Sequence, residues 1–260
     1  KTGTLTRNEM TVRALVVDGH ALDVTGEGVD LAGEFREAGE KVAALPDAAR
    51  QAVLAAVIAN TASLLRRPGV APQLTGDPTE GALLVLGEKA DIHRDASMES
   101  REEILTIPFN SARKRMTVVT RERVEGKDAL VVRSKGAIDV LLPLCTHCLT
   151  EHGVVPLDEV RRATILTLAE DMSAKALRVL AMAERRMEDG VVDRDSAERG
   201  FTYLGMVGMI DPPRAEVKEA VEAARVAGIR VVMITGDHGV TASAIAGQLA
   251  WVRPVTRWWP

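Results

Sequence analysis

The sequence predicts an α+β domain on an antiparallel sheet, inserted into a second, incomplete α/β domain. As far as residue 210, helices and strands are mixed and mostly joined by short links, as in domains built on an antiparallel sheet. After residue 214 the order becomes helix, strand, helix, which is typical of a parallel α/β unit. We therefore expect domain boundaries at 1–10, 11–210 and 211–250, followed by an atypical tail at 251–260 that carries all 3 tryptophans.

Composition and charge limit the class of protein. At 260 residues, with 46% hydrophobic residues, the chain is long enough for two cores. A net charge of -4 argues against nucleic acid as a partner, and the apolar run Ala52–Ala59 is too short to span a membrane. The 2 cysteines fit a reducing compartment. The chain lacks an initiator Met and opens inside a motif, so we expect a piece of a longer protein that is monomeric by itself.

The first elements follow from β-prone and helical patterns. Thr11–Val17 and Ala21–Val24 predict a hairpin around the turn Asp18-Gly19. Gly26–Gly39 is predicted to be a loop. Apolar residues at helical spacing predict an amphipathic helix from Pro46 to about Leu65 that covers one face of the sheet.

Asp77-Pro78-Thr79-Glu80 predicts the start of the next helix. Asp77 suits the N-cap, Pro78 the first helical position, and Glu80 is placed to complete a capping box. This helix should run from Pro78 to about Ala90.

The middle of the chain predicts neighbouring antiparallel strands. β-Branched residues cluster in Glu103–Pro108, Met116–Glu122 and Ala129–Ser134, and Glu125-Gly126 supplies a turn between the last two. A short helix, a strand, a long helix capped near Asp158 and two strands are then predicted at Ala137–Leu144, Gly153–Val155, Leu157–Lys175, Arg178–Ala183 and Tyr203–Met209. The α/β part predicts helix, strand and helix at Ala215–Ala227, Ile229–Ile234 and Val240–Ala250.

Two turns of similar composition lie near the two ends, Lys1-Thr-Gly-Thr-Leu-Thr6 and Ile234-Thr-Gly-Asp237. Turns rich in glycine and hydroxyls bring backbone N–H groups and hydroxyls close to a phosphate, and the second turn follows a predicted strand, where α/β sheets place ligands. Either turn alone is as well explained as a surface turn. Their placement on both sides of an insertion favours one shared phosphate site. The candidate residues are Lys1, Thr2, Thr235, Gly236 and Asp237.

An aromatic residue precedes a basic turn in Phe109-Asn-Ser-Ala-Arg-Lys-Arg-Met116. The ring of Phe109 can stack on a base while the nearby cations Arg113, Lys114 and Arg115 meet phosphates. The competing interpretation is a core phenylalanine at a strand end beside a solvated basic turn.

Lys135 lies at a strand end directly before Gly136. Its ammonium group can reach a nucleotide there, and the missing side chain of Gly136 lets a ligand approach the backbone. An ordinary exposed lysine is the alternative.

Cys145-Thr-His-Cys148, with His147 and His152, invites a zinc interpretation. A single CxxC without a second pair is a weak signal for zinc. Cys148 is better explained as a small apolar residue in the core or as part of a loop.

The two phosphate turns together resemble the phosphorylation domain of a P-type ATPase, which is a haloacid-dehalogenase-like fold. Four further segments follow in the family's order and resemble nucleotide-domain and hinge motifs of its type II, calcium-pump-like branch. They are Gly76-Asp-Pro-Thr-Glu-Gly-Ala-Leu-Leu84, Phe109–Met116, Lys135-Gly-Ala137 and Asp211-Pro-Pro-Arg214. The chain departs from the family in Ile138, which stands where proline is usual, and it starts one residue after the family's phosphorylated Asp.

The resemblance implies a nucleotide-binding domain with part of a phosphorylation domain, on the cytoplasmic side of a membrane. Phe109 would stack on adenine, Glu80 would accept a hydrogen bond from the adenine amino group, and Arg178 would contact the phosphates of ATP. Asp211 and Arg214 resemble hinge residues that face the nucleotide. The implied nucleotide site comprises Glu80, Phe109, Arg113, Lys114, Lys135, Gly136, Arg178, Asp211 and Arg214.

ATP and Mg²⁺ are the cofactors that the resemblance implies. The Thr2 carbonyl would contact Mg²⁺, and Thr235 and Gly236 would hold phosphate oxygens. The intact pump would transfer the γ-phosphoryl group to the absent Asp and drive a cation, with calcium as the leading choice. Its transmembrane and actuator domains would be partners in cis. This chain is predicted to bind ATP without hydrolysing it.

Two other classes of protein share some of these features. A soluble haloacid-dehalogenase-type phosphatase with a large cap would contain both phosphate turns, but it does not predict that Phe109, Lys114 and Lys135 act together on adenine. A non-enzymatic regulatory module would bind nucleotide or zinc through Lys135 and residues 145–152.

Overall fold

A computed structural model describes residues 5–6, 9–67, 69–188, 190, 192–212, 214–234 and 246–247. The strands of this part are β1 (Thr11–Val17), β2 (His20–Val24), β3 (Phe35–Glu37), β4 (Glu40–Lys41), β5 (Ser63–Arg67), β6 (Val70–Thr75), β7 (Arg101–Asn110), β8 (Arg115–Val124), β9 (Lys127–Gly136), β10 (Cys145–Thr150), β11 (Gly153–Pro156), β12 (Arg178–Glu188) and β13 (Phe201–Ile210). The helices are α1 (Asp47–Ile58), α2 (Pro78–Lys89), α3 (Arg94–Met98), α4 (Ile138–Leu141), α5 (Glu159–Ala174), α6 (Arg194–Ala197) and α7 (Ala215–Val226). Among these residues, no helix has the length and apolar content needed to cross a membrane.

One large, mainly antiparallel sheet organises the fold. Its strands run in the order β4-β3-β2-β1-β13-β12-β9-β8-β7. The hairpin β10–β11 joins it beside the first residues of β13, where β10 runs parallel to β13. The predicted antiparallel-sheet domain with helices is thus confirmed, and β7, β8 and β9 are neighbours as expected.

Helices cover both faces of the sheet, and strand alternation decides which side chains each face buries. On one face, α1 and α2 pack with Leu15, Val207 and Met182. On the other, α5 packs with Val16 and Met206, while α4 lies over Val132. We call these the α1–α2 face and the α4–α5 face.

Both predicted hairpin turns are present. Asp18 and Gly19 have φ angles of 48° and 79°, and Glu125 and Gly126 have φ angles of 52° and 81°. Two successive residues with positive φ match the right-handed twist of the flanking strands, which is why such sequences form tight hairpins. Local turn chemistry was therefore sufficient to place β1–β2 and β8–β9.

The predicted helix from Pro46 to Leu65 is wrong after Ile58. α1 ends at Ile58, and residues 63–67 form β5, which pairs with β6. The buried Asn60 turns the chain because its amide accepts a hydrogen bond from Ala62 N at 2.9 Å and donates one to Glu80 O at 2.9 Å. The apolar residues after Ile58 thus continue a helical pattern without continuing the helix.

Two other predictions need correction. The predicted loop Gly26–Gly39 contains β3, whose Phe35 is buried and pairs with Val24. Residues 229–234, predicted as a strand, carry no strand assignment, and Ile229, Val232 and Ile234 are exposed. β-Propensity describes fit to a half-buried pleated surface. In this segment Met233 packs with Ala176 and Val217, whereas Ile229, Val232 and Ile234 face solvent.

Several predictions fall outside the described residues. They concern the turns at 1–4 and 235–237, the tail at 251–260 and most of the helix predicted at Val240–Ala250. The α7 helix, predicted as Ala215–Ala227, is present. The incomplete haloacid-dehalogenase-like domain therefore stays a prediction.

Removing the cap of α2 should destabilise the domain. The Asp77 carboxylate accepts hydrogen bonds from Thr79 N at 2.8 Å and Glu80 N at 3.3 Å. Asp77→Ala removes this acceptor from both backbone N–H groups. We expect a loss of about 1 kcal/mol in the free energy of unfolding, measured by urea denaturation. Asp77→Asn should stay near the original stability, and exposed Asp47→Ala should change it by less than about 0.5 kcal/mol. An Asp77→Ala loss no larger than that of Asp47→Ala would contradict the capping role.

Candidate functional site

A buried ion pair joins α2 to the middle of the sheet. The Lys135 Nζ atom on β9 lies 2.7 Å from Glu80 Oε1 on α2. The second carboxylate oxygen, Glu80 Oε2, accepts hydrogen bonds from Thr61 N at 2.9 Å and Thr61 Oγ1 at 2.5 Å. The exposed fractions are 5% for Lys135 and 7% for Glu80. Because water hardly reaches either residue, the two charges are stabilised by each other and, for Glu80, by the hydrogen bonds from Thr61.

The pKa values of this pair reflect burial and mutual attraction. Burial lowers the pKa of Lys135 to about 8, although the Glu80 charge and hydrogen bond act to raise it. Burial acts to raise the pKa of Glu80, but the charge of Lys135 and hydrogen bonds from Lys135 and Thr61 together lower it. Both groups are therefore mainly charged near neutral pH.

The ion pair corrects one prediction about Glu80. Asp77 caps α2 as expected, but the Glu80 carboxylate bonds to Thr61 and Lys135 and does not complete a capping box. Tertiary partners take precedence because the helix directs Glu80 towards the sheet. The capping-box interpretation of Glu80 is therefore wrong, and its contact with a ligand stays a prediction.

Further side chains accompany the pair on the α1–α2 face. Lys135 lies opposite Met116 on β8 and Met182 on β12. Arg178, which lies two residues before the buried Leu180 on β12, donates from Nη1 to Thr79 Oγ1 at 3.4 Å. The sequence analysis missed Thr61, and it named Thr79 and Met116 only as members of motifs. Their position next to Glu80 and Lys135 is what makes them part of the candidate site.

Phe109 lies at the end of β7 and is 54% exposed. It is therefore not the core residue of the competing interpretation. The next residue, Asn110, pairs with Arg115 on β8, and Arg115 pairs with Gly136 on β9. Phe109 and Lys135 thus lie at the same end of the sheet on strands that are two positions apart, so their backbones are separated by about 10 Å.

Lys114 is exposed in the turn between β7 and β8. Its Nζ atom lies 3.2 Å from Asp139 Oδ2, and both side chains are largely solvent-accessible. An exposed pair of this kind contributes little to stability, so the Lys114 ammonium group can exchange Asp139 for another anion.

Arg113 does not join the other predicted site residues. Its guanidinium bonds to Glu198, which also accepts a hydrogen bond from Thr117 Oγ1 at 2.6 Å. Thr117 pairs with Ser134, one residue away from the Met116–Lys135 pair, so Glu198 lies on the α4–α5 face. The structure therefore directs Arg113 away from the face that carries Lys135.

Gly136 is explained by packing within the protein. A Cβ atom there would lie 2.6 Å from Arg115 Cβ and 2.8 Å from Lys114 O. The sequence predicted that a ligand approaches the backbone of Gly136 closely. In the structure the Lys114–Arg115 segment occupies that space, so glycine is needed at position 136.

Asp211 and Arg214 contact the opening segment of the described chain. Thr6 Oγ1 donates to Asp211 Oδ2 at 2.5 Å, and Arg214 Nε donates to Thr6 O at 3.3 Å. Arg214 N also bonds to Leu5 O at 2.9 Å. These residues tie together the two connections that enter and leave the sheet domain. The predicted phosphate-site residues Lys1, Thr2, Thr235, Gly236 and Asp237 lie outside the described residues.

The cysteine segment forms a strand and not a loop. Cys145 and Cys148 lie on β10 and are buried, whereas His147 and His152 are exposed. Burial raises the pKa of Cys145 to about 12, so its thiol keeps its proton at neutral pH. Within the described part of the chain, no group of three or more His, Cys, Asp and Glu side chains is placed to hold a metal ion.

Acid should weaken the fold through two carboxylates. Hydrogen bonds and the charge of neighbouring cations lower the pKa of Glu80 and Glu198 below 4.5 despite the opposing effect of burial. A carboxylate with a lowered pKa contributes stability above its unfolded-state pKa and loses it as pH falls through the folded-state pKa. We expect the free energy of unfolding, measured in urea, to fall below pH 4.5, and to fall less steeply in Glu198→Gln. Equal slopes in Glu198→Gln and the original protein would contradict this role; exposed Glu188→Gln is the control.

The chain is similar to known proteins over most of its length. A family model described as P-type ATPase, cytoplasmic domain N, matches residues 48–216. The chain is 39% identical over 249 residues to calcium-transporting ATPase 1 of Bacillus cereus, covering 96% of this chain and 25% of that protein. It is 38% identical over 258 residues to cation-transporting ATPase pma1 of Synechocystis, and the match covers 96% of this chain and 28% of that protein. It is 36% identical over 253 residues to a calcium-transporting ATPase of Bacillus subtilis, and the match again covers 96% of this chain and 28% of that protein. The chain thus spans about a quarter of the length of these relatives.

Proposed function

Because this chain belongs to the P-type ATPases and contains their cytoplasmic domain N, we propose that it binds ATP on the α1–α2 face of its sheet. The observation that carries the proposal is the buried Glu80–Lys135 ion pair at the same end of the sheet as the exposed ring of Phe109. A buried lysine at the same end of the sheet as an accessible aromatic ring suits a ligand that has a planar base and groups that form hydrogen bonds.

Each group has a distinct role in this proposal. Phe109 stacks on the adenine ring, since its exposed face has room for a base. Lys135 donates to the base, because one ammonium group offers three donors and Glu80 occupies one of them. The Glu80 carboxylate accepts a hydrogen bond from the adenine amino group.

The phosphates of ATP would extend from the base towards the cationic side chains. Arg178 is exposed near Thr79, and Lys114 is held only by an exposed ion pair with Asp139. Both can contact a polyphosphate without breaking a buried interaction. Arg113 is left out of this set because it is bonded to Glu198.

The activity of the whole protein is a further part of the proposal. Its relatives are named as calcium- or cation-transporting ATPases. We infer that the parent of this chain transfers the γ-phosphoryl group of Mg-ATP to an Asp and couples the turnover to cation transport, with calcium as the leading ion. Transmembrane and actuator domains act in cis. The 260-residue chain binds ATP without hydrolysing it.

Isothermal titration calorimetry of the 260-residue chain tests this function. We expect saturable binding of ATP at up to millimolar concentration, and neither turnover of p-nitrophenyl phosphate nor binding of Zn²⁺. A folded protein, shown by circular dichroism, that gives no heat with ATP would overturn the proposal. Turnover of p-nitrophenyl phosphate would favour a phosphatase. Binding of Zn²⁺ would favour a regulatory module. Mg-dependent ATP hydrolysis by this chain would contradict its predicted inactivity.

A further inference from the structure

A buried carboxylate on the α4–α5 face gathers side chains from several elements. Glu198, in the connection between β12 and β13, accepts hydrogen bonds from Arg115 Nε at 2.9 Å, Arg115 Nη2 at 2.7 Å and Thr117 Oγ1 at 2.6 Å. It also bonds to Arg113, and its side chain is only 8% exposed. Thr117 Oγ1 also lies 2.9 Å from Ser134 Oγ, within hydrogen-bond distance. We call Arg113, Arg115, Thr117, Ser134 and Glu198 the Glu198 cluster.

The Glu198 cluster includes Arg113, which lies in the turn between β7 and β8, and Arg115, which directly follows it. The turn is tight, since Lys114 N donates to Asn110 O at 2.6 Å and Lys114 adopts a φ angle of 49°. A hydrogen bond from Ala137 N to Lys114 O at 3.0 Å attaches the turn to the residue that directly follows β9. The side chains of Arg113 and Arg115 connect this turn to the Glu198 carboxylate.

We propose that Glu198 is a positioning residue for nucleotide binding, which holds the turn at 110–114 so that Phe109 and Lys114 are presented to ATP. This rests on the proposed function of the α1–α2 face. Glu198 itself does not touch the nucleotide, because it lies on the opposite face of the sheet. Arg113 and Arg115 belong to the support and are not phosphate contacts.

Charge and burial explain why this anchor is effective. One carboxylate receives hydrogen bonds from two guanidinium groups in a site that excludes most water, where charge-assisted hydrogen bonds are strong. Glu198→Gln keeps the shape but removes the negative charge, so both guanidinium groups lose their counter-charge together. The turn would then be held mainly by its own backbone hydrogen bonds.

Hydrogen exchange of the protein without nucleotide tests the anchor independently of ATP. We expect amides at 110–115 to exchange at least fivefold faster in Glu198→Gln, with Glu198→Asp in between. Glu188→Gln, which neutralises an exposed carboxylate on β12, should leave these amides unchanged. Unchanged exchange at 110–115 in Glu198→Gln would overturn the proposal whether or not the protein binds ATP.

Calorimetry with ATP and adenosine then tests the link to binding. At a temperature where circular dichroism shows every variant folded, Glu198→Gln should weaken both ligands about three- to tenfold, and Glu198→Asp should restore part of the loss. Arg113→Gln should change both affinities by the same factor. A selective loss of ATP affinity in Arg113→Gln would show a direct phosphate contact and overturn the assignment. If the original protein binds neither ligand, the proposed function fails, while hydrogen exchange still decides the role of Glu198 in the turn.

Discussion

Replacing Lys135 with methionine is expected to abolish measurable ATP binding and to lower the free energy of unfolding by about 3 kcal/mol. The substitution removes the ion-pair partner of Glu80, a residue that is 7% exposed, and leaves its carboxylate only the hydrogen bonds from Thr61. An uncompensated buried charge is among the most destabilising changes a single substitution can make. Urea denaturation and calorimetry measure the two effects separately.

A matched control lies on the same strand. Lys127 is exposed at the start of β9, so Lys127→Met should change stability by less than about 0.5 kcal/mol and leave ATP affinity unchanged. The double variant Glu80→Gln/Lys135→Met removes both charges and should regain most of the lost stability without regaining ATP binding. A Lys135→Met protein as stable as Lys127→Met, or one that still binds ATP, would be inconsistent with the proposed site.

Replacing Phe109 with alanine is expected to weaken ATP binding by about 1 to 3 kcal/mol, which is about 5- to 150-fold. The loss arises because stacking on the base disappears, and adenosine should be weakened by the same factor as ATP. The free energy of unfolding should change by less than about 0.5 kcal/mol, because a side chain that is 54% exposed contributes little to the core. Calorimetry with both ligands and urea denaturation provide the two measurements.

Two further variants make the Phe109 prediction specific. Phe109→Tyr retains an aromatic face and should bind ATP within about twofold of the original protein. Val154→Ala shortens another exposed apolar side chain, 57% accessible, on β11 and should have no effect on ATP affinity. An unchanged affinity in Phe109→Ala, or a loss in Phe109→Tyr as large as that in Phe109→Ala, would argue against stacking.

The proposed site combines residues that sequence analysis identified one by one. Glu80, Phe109 and Lys135 were each selected from a local motif, and each had an ordinary alternative. The structure makes Phe109 accessible and joins Glu80 to Lys135, so the alternatives of a core phenylalanine and an exposed lysine no longer apply. Arg113 came from the same motif as Phe109, yet its side chain turns to the opposite face.

Local pattern was enough for the elements whose causes lie within a few residues. The hairpin turns at Asp18-Gly19 and Glu125-Gly126, the Asp77 cap and the strands around them follow from backbone preferences of neighbouring residues. Family motifs along the chain likewise pointed to the domain that the family model matches at 48–216. These features could be predicted because short-range interactions specify them.

Packing between distant segments settled the rest. The end of α1 at Ile58 depends on Asn60 bonding to Glu80 O, and the need for glycine at 136 depends on the carbonyl of Lys114. Glu198 carried no sequence signal, because its partners belong to strands far earlier in the chain. Which side chains meet is decided by strand register and by the face each residue occupies, and a shift of one residue would send Lys135 to the wrong side of the sheet.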